Sequence, residues 1–347
     1  MFFKSDLNTK MRKHTIFTTL LILTITAFAS SCKKDKDADS GNYMTGSISF
    51  YVPNYLIASQ EVELNATGIT SPTTGLLYTW TATGFAPDSL TGQSATITAP
   101  SAFGEYTLFV TVTHDDYSTV STSRKVVVIN PSDEGSFSGT MPGQNTITDS
   151  RDGRVYPYRK IGNLDWFASN LKWNGAGKQY DSVRALNEIY GTLYTWMEAT
   201  GGATATGLGS GPQGICPDGW RIPTREDWED LALAINGSPL SFENEWKGLG
   251  QKAAANAMLN GKSVWKYSPE NTKTNNAGWN ALPAGSSSNY FKSFANITEF
   301  GFWWSASLKD NNNGEYRFIH FNSSNFPYNY AGKDFFAASV RCVRIAQ

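Results

Sequence analysis

The sequence predicts a multidomain, β-rich protein in which an all-β sandwich is followed by an α+β domain. Three observations carry this reading. From about Gly46 to Asn130 the chain runs in short segments rich in Thr, Val, Tyr and Ile, punctuated by Gly and Pro. Such regular short runs with turn signals between them are what a two-layer β-domain requires. Beyond a Pro/Gly/Ser-rich connector the composition shifts, and ten of the eleven tryptophans fall between Trp166 and Trp304. Within that second region, segments near Thr224–Ile235 and Glu245–Leu259 have helical spacing or composition.

The N-terminus reads as a targeting segment. Arg12, Lys13 and His14 form a basic start, Ile16 to Phe28 an apolar run, and Ala29-Ser30-Ser31 precede Cys32. Small residues before a cysteine resemble the lipobox of bacterial lipoproteins, which makes Cys32 the expected lipidation site and the new N-terminus. A transmembrane anchor is the competing reading, but the apolar run falls short of the roughly 18 residues a span needs. Met1 and Met11 are both available starts, and Met11 gives a signal of ordinary length. Lys33 to Gly41 is too polar to build a core and reads as a solvated tether. Its acidic residues also resemble a surface-export signal, so a surface-exposed location and a periplasmic stalk both stand. Removal of residues 1–31 leaves 25 basic and 29 acidic side chains, a net charge of −4. With no basic excess and no Lys/Arg stripe, nucleic acid is not an expected partner. The expected organisation is a signal peptide at 1–31, a tether at 32–45, a sandwich at 46–131, a connector at 132–144 and a second domain at 145–347.

The sandwich strands follow in order. Gln60 to Ala66 and Leu77 to Ala82 alternate polar and apolar residues, and the second carries Trp80, the only tryptophan of this region. Ala95–Ala99, Gly104–Thr113 and Val126–Ile129 complete the set. A mid-domain Tyr78-x-Trp80 and a later Gly104-x-Tyr106 ahead of alternating valines resemble Ig-like domains of the PKD type. That resemblance implies a tryptophan packed between the sheets and a tyrosine pinning a corner. His114-Asp115-Asp116 lies just past a strand and reads as a solvated turn rather than a metal cluster.

In the second domain, Asp149 to Tyr156 reads as a β-hairpin around the turn dipeptide Asp152-Gly153. A calcium loop is disfavoured, because the EF-hand spacing and its closing glutamate are missing. Tyr158 to Leu171 continues as a strand into a bend. Tyr190 to Ala199 is aromatic and turns into a short helix. Thr224 is placed to cap a helix, with Asp227 three residues on as a short version of the capping box. Trp228, Leu231, Ala232 and Ile235 then form one apolar face, Gly237 is a natural stop, and Trp220 is expected to plug the core. A second helix is expected from about Glu245 to Leu259.

Asp149, Arg151-Asp152-Gly153, Tyr156, Ile161-Gly162, Trp166, Asn170-Leu171, Tyr190-Gly191, Tyr194 and Trp196 occur in order. They are followed by Cys216-Pro217, Gly219-Trp220, Pro223, Trp228, Asn276, Gly278-Trp279, Ala281-Leu282-Pro283, Gly301 to Ser307 and Ser339-Val-Arg-Cys342. This series, spread over about 200 residues, resembles the Fibrobacter succinogenes major paralogous (FISUMP) domain family. The resemblance supplies an architecture rather than a reaction. Arg221-Ile-Pro-Thr-Arg-Glu-Asp-Trp228 is also similar to the corresponding segment of formylglycine-generating-enzyme-like domains, which share the C-type-lectin-like scaffold. That likeness implies a C-terminal α+β C-type-lectin-like domain with adjacent first and last strands. A Cys216–Cys342 disulfide fits such a geometry, with two free buried thiols as the alternative.

Candidate chemistry is sparse. The mature chain holds two histidines, His114 and His320, with no zinc spacing, and Gly207 to Gly211 lacks the Lys-Ser/Thr of a phosphate loop. If Cys216 and Cys342 pair, no thiol remains for formylglycine-type chemistry. Glu226/Asp227 and Glu243/Glu245 sit near helix starts, where the dipole accounts for them. No catalytic residue, metal ligand or cofactor is expected, and the chain reads as a non-enzyme. The stronger expectation is a lipid-anchored outer-membrane binding or adhesion protein whose partner is a glycan or a surface protein. Interleaved Asn and aromatic residues at Asn289-Tyr-Phe and Asn322 to Tyr330 suit apolar ring contact with fixed hydrogen bonds. The candidate contacts are Asn325, Tyr328, Tyr330 and whichever of Trp303 and Trp304 faces outward. Exposed loops over a tryptophan-rich core explain the same pattern. A structural component of a surface assembly without a ligand of its own is the alternative function, with a formylglycine-generating-enzyme-like enzyme as the less favoured one.

Overall fold

A computed structural model of the chain describes residues 41–236 and 245–347. The targeting segment, Met11, Cys32, Gly237 and Glu243 lie outside the described residues. The fold is dominated by β-strands arranged in several sheets, and no helix among the described residues is long and apolar enough to cross a membrane.

Period-two alternation builds the N-terminal part. In Glu61–Asn65, Val62 and Leu64 are buried while Glu61, Glu63 and Asn65 face solvent, and the strand pairs antiparallel with Ser94–Thr98. Leu77–Thr81 buries Tyr78 and Trp80 and pairs with Gly104–His114, itself paired with Tyr117–Ile129. The Trp80 indole donates to the Gly92 carbonyl at 2.8 Å and meets the Phe50 ring edge-on at 5.1 Å. The Tyr106 hydroxyl donates to the carbonyl of Ala102, 3.0 Å away. These side chains belong to one apolar cluster drawn wholly from residues between Met44 and Val128. The strands start earlier than the sequence suggests. Asn42–Tyr43 pairs parallel with Tyr117–Ser118, so the last residues assigned to the tether already belong to the sheet.

The connector is also more ordered than its composition implies. Phe137–Ser138 pairs with Met258–Leu259. The Asn280 side chain accepts from Met141 N–H at 2.8 Å and donates to Met141 C=O at 2.8 Å, satisfying both polar groups of one peptide residue. Asn260 donates to the Val128 carbonyl and accepts from the Ser136 hydroxyl. Ile129 sits in the apolar cluster of the C-terminal part, with Tyr55, Ile57 and Val127 packed against it. The N-terminal and C-terminal parts therefore share buried contacts.

The C-terminal part holds two larger sheets. One runs Asn145–Thr148, Val155–Ile161, Leu164–Phe167 and Val343–Ile345, so the last strand lies beside one of the first. The hairpin at its start is closed not by a two-residue turn but by the six-residue loop 149–154, in which Asp149 N–H donates to the Arg154 carbonyl at 2.8 Å. The buried Asp149 carboxylate accounts for the wider loop, since it gathers the Arg151 backbone N–H and guanidinium. Burial pushes that carboxyl up, but the Arg151 hydrogen bonds outweigh it and hold Asp149 below its ordinary range. Arg151 also donates to Ile215 C=O at 2.9 Å and lies 4.3 Å from the Trp173 ring, linking this loop to the segment around Cys216.

The other sheet runs, in spatial order, Lys178–Gln179, Thr192–Thr195, Ala337–Ala338, Ala284–Ser288, Phe300–Leu308, Asn313–His320 and Tyr328–Gly332. Among the described residues four α-helices flank the sheets: α1 (Arg184–Tyr190), α2 (Trp196–Thr200), α3 (Arg225–Asn236) and α4 (Leu249–Ala253). At the start of α3 the short capping box forms. Asp227 N–H donates to Thr224 Oγ1 at 3.2 Å and Thr224 N–H donates to Asp227 Oδ2 at 2.9 Å. The expected second helix shrinks to α4. Ala254 leaves helical geometry to bridge Ala281, and Ala253, Ala254, Ala255 and Ala257 are fully enclosed. The close backbone approach that small residues permit outweighs alanine's helix propensity here.

Candidate functional site

The Cys216 and Cys342 sulfurs are bonded, with Cα atoms 5.8 Å apart across 126 residues of sequence. Both cysteines are fully buried, and Trp220 packs in the same apolar cluster. Beside the bond, Arg221 and Val343 exchange two backbone hydrogen bonds of 2.9 Å. The segment entering α3 is thus tied to the last strand by covalent and backbone contacts, and neither thiol is available as a nucleophile.

Trp303 and Trp304 are both fully buried, which corrects the expectation that one of them faces solvent. The period of two does send them to opposite faces of Phe300–Leu308. Trp303 enters one apolar cluster with Ile319 and Phe326, while Trp304 enters the other with Phe302 and Ala306. Because a core covers each face of this strand, alternation produces no outward side chain. Both indoles are satisfied inside: Trp303 donates to Asn170 Oδ1 at 2.9 Å and Trp304 to Tyr194 C=O at 2.7 Å.

Tyr328 and Tyr330 have a different setting. They stand on Tyr328–Gly332, which ends the sheet order and pairs with Asn313–His320 on one side, Arg317 opposite Tyr328 and Glu315 opposite Tyr330. Together with Asn329, Pro327, Phe318 and Glu245 they line an open pocket of about 430 Å³. Tyr330 is 47% exposed, and Lys309 Nζ lies 5.6 Å from its ring. Arg317, buried beneath, places its guanidinium 5.6 Å from the Tyr328 ring. Both cations sit within the range of cation–π attraction to the phenols. Burial pushes Arg317 down to about 10, with Glu229 and Glu315 opposing, so it remains charged at neutral pH. Glu315 in turn takes a bidentate pair from Arg225 at the start of α3.

Asn325 is close by but committed. Its amide donates to Glu245 Oε1, and its backbone N–H donates to Ser323 Oγ at 3.2 Å. It positions Glu245 at the pocket wall rather than offering a free amide. Asn329 was not singled out from sequence, yet it is exposed, and its Oδ1 accepts from Tyr330 N–H at 2.8 Å. The alternation of Asn and Tyr in Asn325 to Tyr330 was the available signal for it. The pocket combines two phenols, an amide and one carboxylate. It suits stacking and hydrogen bonding, and lacks the paired acid and base of a hydrolytic site. His320 is elsewhere, stacked on Phe300 at 4.1 Å, and burial lowers its pKa. His114 receives the Asp116 backbone N–H on Nδ1 in a turn. Among the described residues no group of three His, Cys, Asp or Glu side chains is arranged to hold a metal ion.

These features define a β-rich protein with a disulfide-closed C-terminal part and a tyrosine-lined surface pocket. Residues 160–344, more than half of the chain, match the model of the Fibrobacter succinogenes major domain, and the chain belongs to that family. No curated protein matches it.

Proposed function

We propose that this chain is a lipid-anchored cell-envelope recognition protein. On this reading an Ig-like sandwich of the PKD type carries a C-type-lectin-like domain that binds a glycan or a surface protein without catalysis. The observation that carries the proposal is the tyrosine pocket at the sheet edge. It is open, each of its two rings has a cation within cation–π range, and it sets an amide and a carboxylate beside them. Accessible phenol rings with polar groups at their edges are suited to ligand contact. The bonded cysteines support a binding role over formylglycine-type chemistry, which needs a free thiol. The pairing of Leu164–Phe167 with Val343–Ile345 supports the lectin-like layout, and the Tyr106 hydroxyl bond supports the Ig-like one.

Screening the full-length protein on immobilised glycans and envelope proteins tests this reading. We expect a ligand whose affinity falls roughly tenfold or more in Tyr330→Ala, in the range found for aromatic contact residues. The melting temperature should hardly move, since Tyr330 is on an exposed edge. The reading fails if no glycan or protein binds and the chain instead co-purifies in a fixed envelope assembly. It also fails if a bound ligand ignores both Tyr328→Ala and Tyr330→Ala.

A further inference from the structure

We propose that the cavity at the junction of the N-terminal and C-terminal parts binds a small neutral aromatic molecule through one carbonyl-type acceptor. The cavity has a volume of about 380 Å³. Ligand pockets of roughly 300–1,000 Å³ favour junctions of this kind. The N-terminal part supplies one wall by its register. Tyr55 and Glu105 both pair with Val127, from opposite sides, so the three side chains form one row on a single sheet face. Their neighbours Leu56, Val126 and Val128 turn the other way, into the N-terminal core. The C-terminal part closes the cavity from across the junction. There Leu259 and Lys262 are cross-strand partners, Val264 is buried, and Tyr190 ends α1.

The polar groups of the wall decide what kind of molecule fits. Among the described residues its charged side chains are Glu105 and Lys262, and they pair with each other across the junction. The wall thus presents no net charge to a ligand. Asn260 and Ser263 also line it, but their side chains are committed to Val128, Ser136 and Trp265. Tyr190 is 4% exposed, yet among the described residues its hydroxyl has no hydrogen-bond partner. A buried donor left unmet carries a cost that a ligand acceptor removes. Burial pushes this phenol above its ordinary range, and the nearby Tyr55 phenol adds to the effect, so Tyr190 stays protonated and donates at neutral pH. The half-buried Tyr55 hydroxyl is likewise unengaged among the described residues. Phe103, Leu259 and Val264 offer apolar contact to a ring.

The competing account is a packing gap between two docked parts, with Tyr190 unmet for want of a neighbour. Equilibrium dialysis of the full-length protein against benzophenone, diphenylmethane and para-benzoylbenzoate separates the two. All three carry two rings; the second lacks the carbonyl and the third adds a charge. Benzophenone should saturate one site, roughly tenfold more tightly than diphenylmethane. Tyr190→Phe should remove that preference and leave diphenylmethane affinity unchanged, and Tyr55→Phe should reduce it. Irradiation of bound benzophenone should label the peptides holding Val127, Leu259 and Val264 in the wild-type chain, a readout that needs no variant. Tyr330→Ala should alter none of this, which keeps the result separate from the fate of the tyrosine pocket. The proposal is overturned if benzophenone does not saturate a site, as a packing gap requires, or if its label falls outside the cavity. It is equally overturned if diphenylmethane or para-benzoylbenzoate binds as tightly, or if a folded Tyr190→Phe chain keeps the preference.

Discussion

At the scale of single residues, the C-terminal part relies on buried cations held by neutral oxygens. Arg341 is fully enclosed and donates to Asn170 Oδ1 and to the carbonyls of Phe167, Trp279 and Asn280, with its guanidinium 4.4 Å from the Trp279 ring. Burial pushes it down to about 9, so it is still protonated at neutral pH. It serves as a hub for loops that would otherwise bury unmet carbonyls. Lys273 works in the same way with fewer bonds. It donates to Asn271 C=O at 3.1 Å and Phe321 C=O at 2.7 Å and lies 5.4 Å from the Trp265 ring, and burial lowers its pKa from 10.5 to about 8. Between those two values the unfolded chain holds a proton at this site that the folded chain has released. Stability therefore rises with pH from about 8 to about 10.5 on account of this group, and below about 8 the full cost of the buried charge is present. Urea unfolding midpoints at several pH values should show Lys273→Met losing part of that rise. Parallel curves for variant and wild type would refute the assignment. Neither cation was legible in the sequence. Arg341 appeared only inside a Ser-Val-Arg-Cys string, and nothing local distinguishes a lysine that will face carbonyls from one that will face water.

At the scale of elements, local patterns were readable where they were self-contained and failed where a second layer intervened. The Thr224/Asp227 cap and the Trp228, Leu231, Ala232 face need only their own helix, and both form as spelled out. Trp303 and Trp304 illustrate the opposite case. Their alternation was correct, but the sequence carries no mark that the strand has a core on each side. The alanines after α4 fail for a related reason, because Ala281, distant in sequence, takes the backbone that a helix would have used. In the tyrosine pocket, Tyr328 and Tyr330 were legible, whereas Glu245 and Phe318 come from other elements and required the fold. The disulfide links two such elements, the segment entering α3 and the approach to the last strand. Closing a loop of this length is worth on the order of 4–5 kcal/mol in the chain-entropy view. Cys342→Ser should lower the C-terminal part's stability by up to about that amount. Tryptophan fluorescence is the natural probe, since ten of the eleven tryptophans lie between Trp166 and Trp304. The N-terminal part has its own apolar cluster, with none of its members drawn from beyond Val128. Hydrogen exchange there should stay slow in the variant, and a parallel loss of protection in both parts would contradict the separation of the two cores.

At the scale of the whole molecule, the parts on either side of the connector are joined rather than loosely strung together. The connector is paired rather than free, Asn260 and Asn280 bind it from the C-terminal side, and Ile129 joins the two parts in one apolar contact. The described body from Asn42 to Gln347 is accordingly one compact unit. By composition residues 33 to 41, with three lysines, three aspartates and no large apolar side chain, are expected to be a tether behind Cys32, the expected lipidation site. One acyl chain binds a bilayer only marginally, and two give stable anchoring, which is what a diacylated cysteine supplies. Metabolic labelling with a palmitate analogue in cells should therefore mark the wild-type chain and not Cys32→Ser, and the variant should leave the membrane fraction while keeping its fold. Label retained in Cys32→Ser, or a variant that still sediments with membranes after a high-salt wash, would rule out Cys32 as the anchor.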